Sequence, residues 1–139
     1  MTDGIHRSLV AEVAVESLDR VLDELAAFWS EAGDTDARVR FAFETAVAEI
    51  AGNVIEHTVA AGSASGRHFT LDLRADATLL TAVFRDDGLP AEIDLSAITM
   101  ATEDDESGRG LALALAAVDR LEYQYTDGRN VWTLECRRP

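Results

Sequence analysis

The feature that most constrains the fold is a long amphipathic segment that follows Asp36 and runs to about Thr58. Its apolar side chains recur at helical spacing: Val39, Phe43, Val47, Ile50 and Val54. This spacing predicts a helix whose apolar face is buried against a second layer of structure. Glu49, Asn53 and His57 lie four residues apart and therefore share another face of the same helix. The helix packs through its separate apolar face, so these three side chains are not needed for packing. A carboxylate that takes a proton and a carboxamide oxygen that holds a hard cation suit phosphoryl chemistry.

The rest of the chain alternates strand and helix patterns. Residues 5–15 are compatible with a strand, and a first helix is expected from Ser17, as N-cap, to Gly33. A first hairpin is expected from strands at 68–74 and 78–86. A third helix is expected at 111–118. A second hairpin is expected from strands at 121–126 and 131–136, which turn at Asp127-Gly128. We therefore predict an α+β fold, a two-layer sandwich of a mostly antiparallel sheet with helices on one face.

Composition narrows the classes of protein. The 139 residues, 47% of them hydrophobic, predict one domain over 1–139. No apolar run is long enough to span a membrane, and the N-terminus lacks the pattern of a secretion signal, so we expect a cytoplasmic protein without a membrane partner. The net charge of −14 argues against nucleic acid as a partner. The single Cys136 cannot form an internal disulfide.

A second candidate segment is Asp86-Asp87-Gly88, at the end of a predicted strand. A carboxylate held there can accept a hydrogen bond from an exocyclic amine such as N6 of adenine, and Gly88 lets a flat ring approach the backbone. The alternative is a plain surface turn, because Asp-Gly is one of the commonest turn pairs.

A third candidate segment is Gly108-Arg109-Gly110, which precedes the predicted helix from Leu111. Free N–H groups at a helix N-terminus bind anions, and Arg109 adds positive charge there. The alternative is an ordinary glycine loop with a solvated arginine. The acidic segment before it, at about 91–108, is long enough to be a functional lid.

The three segments in this order resemble the motifs of the GHKL ATP-binding superfamily, which includes gyrase, Hsp90, histidine kinases and MutL. Glu49-x-x-x-Asn53 matches its N box, Asp86-x-Gly88 its first glycine box and Gly108-x-Gly110 its second. The resemblance implies the Bergerat ATP-binding fold, with ATP and Mg²⁺ as cofactors and an ATP lid at about 91–108.

The resemblance also implies a role for each matched residue. Asn53 would hold Mg²⁺ through its side-chain oxygen, and Glu49 would be the catalytic base. Asp86 would bind the adenine amine with Gly88 beneath the ring. The phosphates would meet Gly108, Arg109 and Gly110 when the lid closes. His57 has two open readings, as part of the site or as a structural residue.

Within the superfamily the chain resembles the bacterial anti-sigma factor serine kinases of the SpoIIAB and RsbW type over nearly its whole length. This implies a protein serine/threonine kinase that binds a sigma factor or another target and phosphorylates an anti-anti-sigma partner of the STAS type. Arg20 lies where family members contact partners, with a solvated arginine as the equal alternative. Members often form homodimers.

The sequence also allows an alternative function and disfavours two others. Pro90 replaces a second glycine common in the first glycine box, and the chain has no lysine, so a non-catalytic ATP-dependent binding switch is the alternative function. A histidine kinase catalytic domain is disfavoured because about sixteen residues precede the first helix. A gyrase-like or Hsp90-like ATPase is disfavoured because no transducer domain follows.

Overall fold

The computed structural model describes residues 4–60, 66–88, 90 and 106–138. The strands and helices follow one another as β1 (Ile5–Glu12), α1 (Ser17–Ala32), α2 (Ala37–Ala60), β2 (His68–Ala75), β3 (Leu79–Asp86), α3 (Glu106–Ala117), β4 (Arg120–Thr126) and β5 (Arg129–Arg137). No helix within these ranges is both long and apolar enough to cross a membrane.

The five strands form one antiparallel sheet in the order β1-β2-β3-β5-β4. Burial alternates along β2, β3 and β5, so each presents one side to the core and the other to solvent. On the core side α1 packs against β1, α2 lies over β3 and β5, and α3 packs beside α2. The predicted α+β fold is therefore confirmed.

Both predicted hairpins are present, and turn chemistry explains each. Between β2 and β3 the Asp76 carboxylate accepts hydrogen bonds from the backbone N–H groups of Thr78 and Leu79, each at 2.8 Å. Between β4 and β5 the turn residues Asp127 and Gly128 both have positive φ, at 54° and 75°. Two consecutive residues with positive φ form a type I′ turn, whose twist matches that of the two antiparallel strands it joins.

The start of α1 differs from the prediction. Ser17 is the first residue of the helix, and Glu16 is the N-cap without a side-chain capping bond. The Ser17 hydroxyl instead donates to the backbone oxygen of Glu12 at 2.7 Å, which ties the helix to the end of β1. The N-cap prediction for Ser17 was wrong because a tertiary partner takes its hydroxyl. The helix ends as predicted at Gly33, whose φ is 77°.

The predicted α2 helix is confirmed and extends two residues past Thr58. The Asp36 carboxylate caps its first turn by accepting from the Arg38 N–H at 2.8 Å. Phe43, Val47 and Ile50 are fully buried on its apolar face. Phe43 also packs against two aromatic rings of α1, Phe28 and Trp29, with ring centroids 6.0 and 5.7 Å away. The apolar face thus holds the two helices together over the sheet.

The start of α3 also differs from the prediction. The helix begins at Glu106, five residues before Leu111, so Gly108, Arg109 and Gly110 lie inside it. Glycine disfavours helix only by about 1 kcal/mol per residue, which packing can override. Here α3 packs along α2. The predicted lid at about 91–108 therefore ends in helix over 106–108, while 91–105 lie outside the described residues.

Cys136 is buried at 3% exposure near the end of β5. Burial, with a contribution from the Asp119 charge, raises the pKa of the thiol to about 11. We expect thiol-specific reagents at pH 8 to modify the folded chain at least about tenfold more slowly than the unfolded chain, because little thiolate is present and access is poor. Ellman's reagent with and without denaturant measures this, and Cys136→Ser gives the blank. Equal rates would contradict the burial.

The same pKa shift makes stability depend on pH. The folded pKa is raised above the unfolded value. The contribution of the buried thiol to the free energy of unfolding is therefore fully present below the unfolded pKa, near 8.5. It is lost as the pH rises through about 11.

Candidate functional site

The polar stripe on α2 is present as predicted, with Glu49, Asn53 and His57 all half-buried. The Asn53 side-chain nitrogen donates to the backbone oxygen of Glu49 at 2.8 Å. Because the nitrogen is bound to the helix, the carboxamide oxygen is the atom left to face a ligand. No ion pair in the described part of the chain engages Glu49. Its carboxylate can therefore accept a proton.

His57 lies on the same face of α2. Its Nε2 atom is buried and has no hydrogen-bond partner among the described residues. The next residue, Thr58, is 2% exposed and donates from its hydroxyl to the Val54 backbone oxygen at 2.9 Å. Thr58 is the residue by which α2 contacts the turn after β3.

That turn holds the Asp86 carboxylate, which is 7% exposed. Its Oδ1 atom accepts from the Gly88 N–H and from the side-chain nitrogen of Asn130, each at 2.9 Å. Asp86 and Asn130 are register partners in the β3–β5 ladder and face the same side of the sheet. Among the described residues, Oδ2 of Asp86 receives no hydrogen bond. This oxygen is the acceptor that a ligand can use.

Gly88 lies close to its neighbours in this turn. A Cβ atom there would lie 3.0 Å from Asp86 Oδ1 and 3.4 Å from the Thr58 hydroxyl. A side chain there would therefore crowd the Asp86 carboxylate, which would have to shift slightly. The helix that carries the polar stripe and the turn that carries Asp86 are thus in direct contact.

Three residues of this cluster were not found from the sequence: Thr58, Tyr123 and Asn130. The Asn130 amide also donates to the Gly88 backbone oxygen at 3.3 Å, and the Tyr123 hydroxyl donates to the Asn130 side-chain oxygen. Asn130 did carry a signal. It alternates with the apolar residues Trp132, Leu134 and Cys136. A carboxamide on the buried side of a strand indicates a polar network.

The third predicted segment lies in the first turns of α3. Gly108 and Arg109 are the third and fourth residues of that helix. The first four N–H groups of an α-helix have no partner within it. An N-terminal anion site thus remains compatible with the backbone, although the segment is not the loop that the sequence predicted.

Arg20 is exposed on α1. It lines a cavity of about 550 Å³ with Glu12, Glu16 and His68. The cavity lies where β1 ends and α1 begins.

The residues present fit a nucleotide with its metal. Asp86 offers an acceptor oxygen, and at Gly88 the absence of a Cβ avoids a 3.0 Å contact with the Asp86 carboxylate. No group of three metal-binding side chains occurs among the described residues. A divalent cation would therefore take Asn53 as a protein ligand and its other ligands from phosphates and water, as Mg²⁺ prefers.

The five-stranded antiparallel sheet with its helices is the fold of the GHKL class of ATP-binding domains. A model of the histidine kinase-like ATPase domain family matches residues 11–135. The chain therefore belongs to this family, and the predicted superfamily is confirmed. No curated protein matches the sequence.

Solved structures with a similar fold include the following two. One holds the RsbU and RsbW domains of Rv1364c from Mycobacterium tuberculosis, at 21% identity and a TM-score of 0.63, covering 99% of this chain. This chain spans 34% of that protein chain. The other is the SiaB-SiaC complex from Pseudomonas aeruginosa, at 12% identity and a TM-score of 0.59, covering 94% of this chain and 89% of that one.

Proposed function

We propose that the chain is an ATP-binding anti-sigma regulatory factor with protein serine/threonine kinase activity, which phosphorylates a STAS-type anti-anti-sigma partner. The observation that carries the proposal is the buried Asp86 carboxylate, held on Oδ1 and open on Oδ2 beside a helix that presents Glu49 and Asn53. The fold and the family membership support ATP as the nucleotide.

At the base end of the proposed site, Asp86 Oδ2 accepts a hydrogen bond from the exocyclic amine of adenine. The ring lies against the backbone at Gly88, where a Cβ would meet Asp86 Oδ1 at 3.0 Å. At the phosphate end, Asn53 holds Mg²⁺ through its side-chain oxygen. Gly108, Arg109 and Gly110 contact the phosphates at the N-terminus of α3.

Glu49 is proposed as the general base, and ATP supplies the γ-phosphoryl group. The Glu49 carboxylate takes the proton of the partner's serine hydroxyl, the serine oxygen bonds to the γ-phosphorus, and the bond to the β–γ bridging oxygen breaks. Positioned bases of this kind contribute about 10²–10⁴-fold to a rate. Glu49 suits the role because no ion pair in the described ranges holds it.

Partner binding is proposed on two features. The first is Arg20, exposed at the mouth of a cavity with two glutamates. The second is the edge position of β1 in the sheet, whose outer backbone groups can pair with another strand, as in a homodimer. That a similar structure is the SiaB-SiaC complex supports a protein partner. The partner proposed here is a sigma factor or a STAS protein.

The test is incubation of the chain with ATP, Mg²⁺ and STAS proteins from the same genome, followed by mass spectrometry. We expect a phosphoserine on one STAS protein that depends on ATP. ATP binding without phosphorylation of any STAS protein would instead favour a non-catalytic ATP-dependent binding switch. The acidic, lysine-free stretch before α3 is the observation that supports this second candidate.

A further inference from the structure

We infer that Asn130, oriented by Tyr123, is a positioning residue that presents one oxygen of Asp86 to the base and thereby selects adenine over guanine. The inference rests on the proposed ATP-binding function. Asn130 is 2% exposed and belongs to none of the three matched motifs.

The Asn130 side-chain nitrogen holds both ends of the turn after β3. It donates to Asp86 Oδ1 at 2.9 Å and to the Gly88 backbone oxygen at 3.3 Å. The Gly88 N–H donates to the same Oδ1 at 2.9 Å. Two N–H groups therefore converge on one carboxylate oxygen, and the carboxylate cannot rotate without breaking both bonds.

Tyr123 sets which end of the Asn130 amide faces Asp86. Its hydroxyl donates to the Asn130 side-chain oxygen, so the amide nitrogen is turned toward the carboxylate. The reversed amide would place its oxygen against Asp86, with two acceptors facing each other. The Tyr123 ring is itself held against Trp132, with ring centroids 4.7 Å apart.

The consequence is a difference between the two oxygens of Asp86. Oδ1 is occupied, whereas Oδ2 receives no hydrogen bond from the described residues and is a pure acceptor. Adenine presents an amine donor at C6, and guanine presents a carbonyl acceptor at the same position. A fixed acceptor matches the first and repels the second. Buried polar groups that are left unpaired give strong discrimination.

The experiment compares binding of ATP and GTP to the full chain by calorimetry, for the wild type and four variants. Asn130→Ala removes the donor, and we expect ATP affinity to fall by about tenfold or more, the effect of losing a hydrogen bond to a charged group. We also expect the preference for ATP over GTP to shrink by at least about fivefold. Asn130→Thr, whose hydroxyl can donate to Asp86, should restore part of that preference.

Tyr123→Phe tests the orienting hydroxyl and keeps the ring that packs on Trp132. We expect ATP affinity to fall by about threefold to tenfold, with a matching loss of base preference. Tyr125→Phe is the matched control, because Tyr125 lies on the same strand and is 46% exposed. It should change neither quantity.

The outcomes separate this inference from the proposed function. A merely structural role for Asn130 would lower the melting temperature of the free chain and leave the ratio of ATP to GTP affinity unchanged. If the ratio of ATP to GTP affinity is unchanged in Tyr123→Phe, or in folded Asn130→Ala, the inference is overturned. The proposed ATP binding is unaffected by that result as long as the wild type binds ATP. A wild type that binds no ATP would overturn the proposed function and this inference together.

Discussion

Replacing Glu49 by glutamine is expected to slow serine phosphorylation by at least about 100-fold while ATP affinity stays within about twofold. Glutamine has the size of glutamate but cannot take up the serine proton. The substitution leaves the backbone oxygen of Glu49 in place, so Asn53 keeps its hydrogen bond at 2.8 Å and the orientation of its side chain. The rate is measured as phosphoserine formed per minute on the STAS partner, and the affinity by calorimetry.

Glu56→Gln is the matched control, because Glu56 lies on the same helix and is exposed. It removes the same charge from α2, so any effect of net charge on partner association appears in both variants. We expect the control to retain wild-type phosphorylation. A Glu49→Gln variant as active as this control would show that another group takes the serine proton.

Replacing Asp86 by asparagine is expected to weaken ATP binding by at least about 100-fold. The asparagine oxygen can still accept from Gly88 and Asn130, which keeps the turn folded. Its nitrogen then replaces Oδ2, so a donor faces the donor amine of adenine. The loss combines a missing hydrogen bond to a charged acceptor with an unpaired donor in a buried site.

Asp87→Asn is the matched control for this substitution. Asp87 is the next residue, has a side chain 65% exposed, and pairs with Arg67 at 3.0 Å on the surface. Exposed ion pairs of this kind contribute about 1 kcal/mol or less. We expect ATP affinity within about twofold of the wild type for this variant. Equal losses for the two variants would mean that general charge, and not the buried acceptor, supports nucleotide binding.

Much of the fold could be predicted from the sequence because its elements depend on local patterns. The apolar spacing from Val39 to Val54 predicts α2, and alternation in β2 and β3 predicts their hairpin. The Asp127-Gly128 turn is set by two residues with positive φ. In each case a periodic pattern or a turn residue decides the structure without distant partners.

The parts that failed depend on tertiary partners. Serine is a residue type preferred at N-caps, yet the Ser17 hydroxyl donates to the backbone oxygen of Glu12 across the β1–α1 connection. The sequence predicts a start of α3 at Leu111, after the glycines, whereas the helix, which packs on α2, begins at Glu106. Local propensity cannot report either contact.

Only those residues of the candidate site that belong to recognisable motifs could be predicted from the sequence. Glu49, Asn53, Asp86 and Gly88 belong to matched segments, and the structure brings α2 into contact with the Asp86 turn through Thr58. Asn130 reaches Asp86 from 44 residues away, through strand register. The roles of these four matched residues remain predictions, as do those of Gly108, Arg109, Gly110 and Arg20.

The most direct measurement of the central claim is a crystal structure of the chain with Mg²⁺ and a non-hydrolysable ATP analogue. The adenine amine is expected about 3 Å from Asp86 Oδ2, with the ring against Gly88 and the metal on the Asn53 side-chain oxygen. A nucleotide bound elsewhere, or an adenine whose amine faces away from Asp86, would contradict the proposed site.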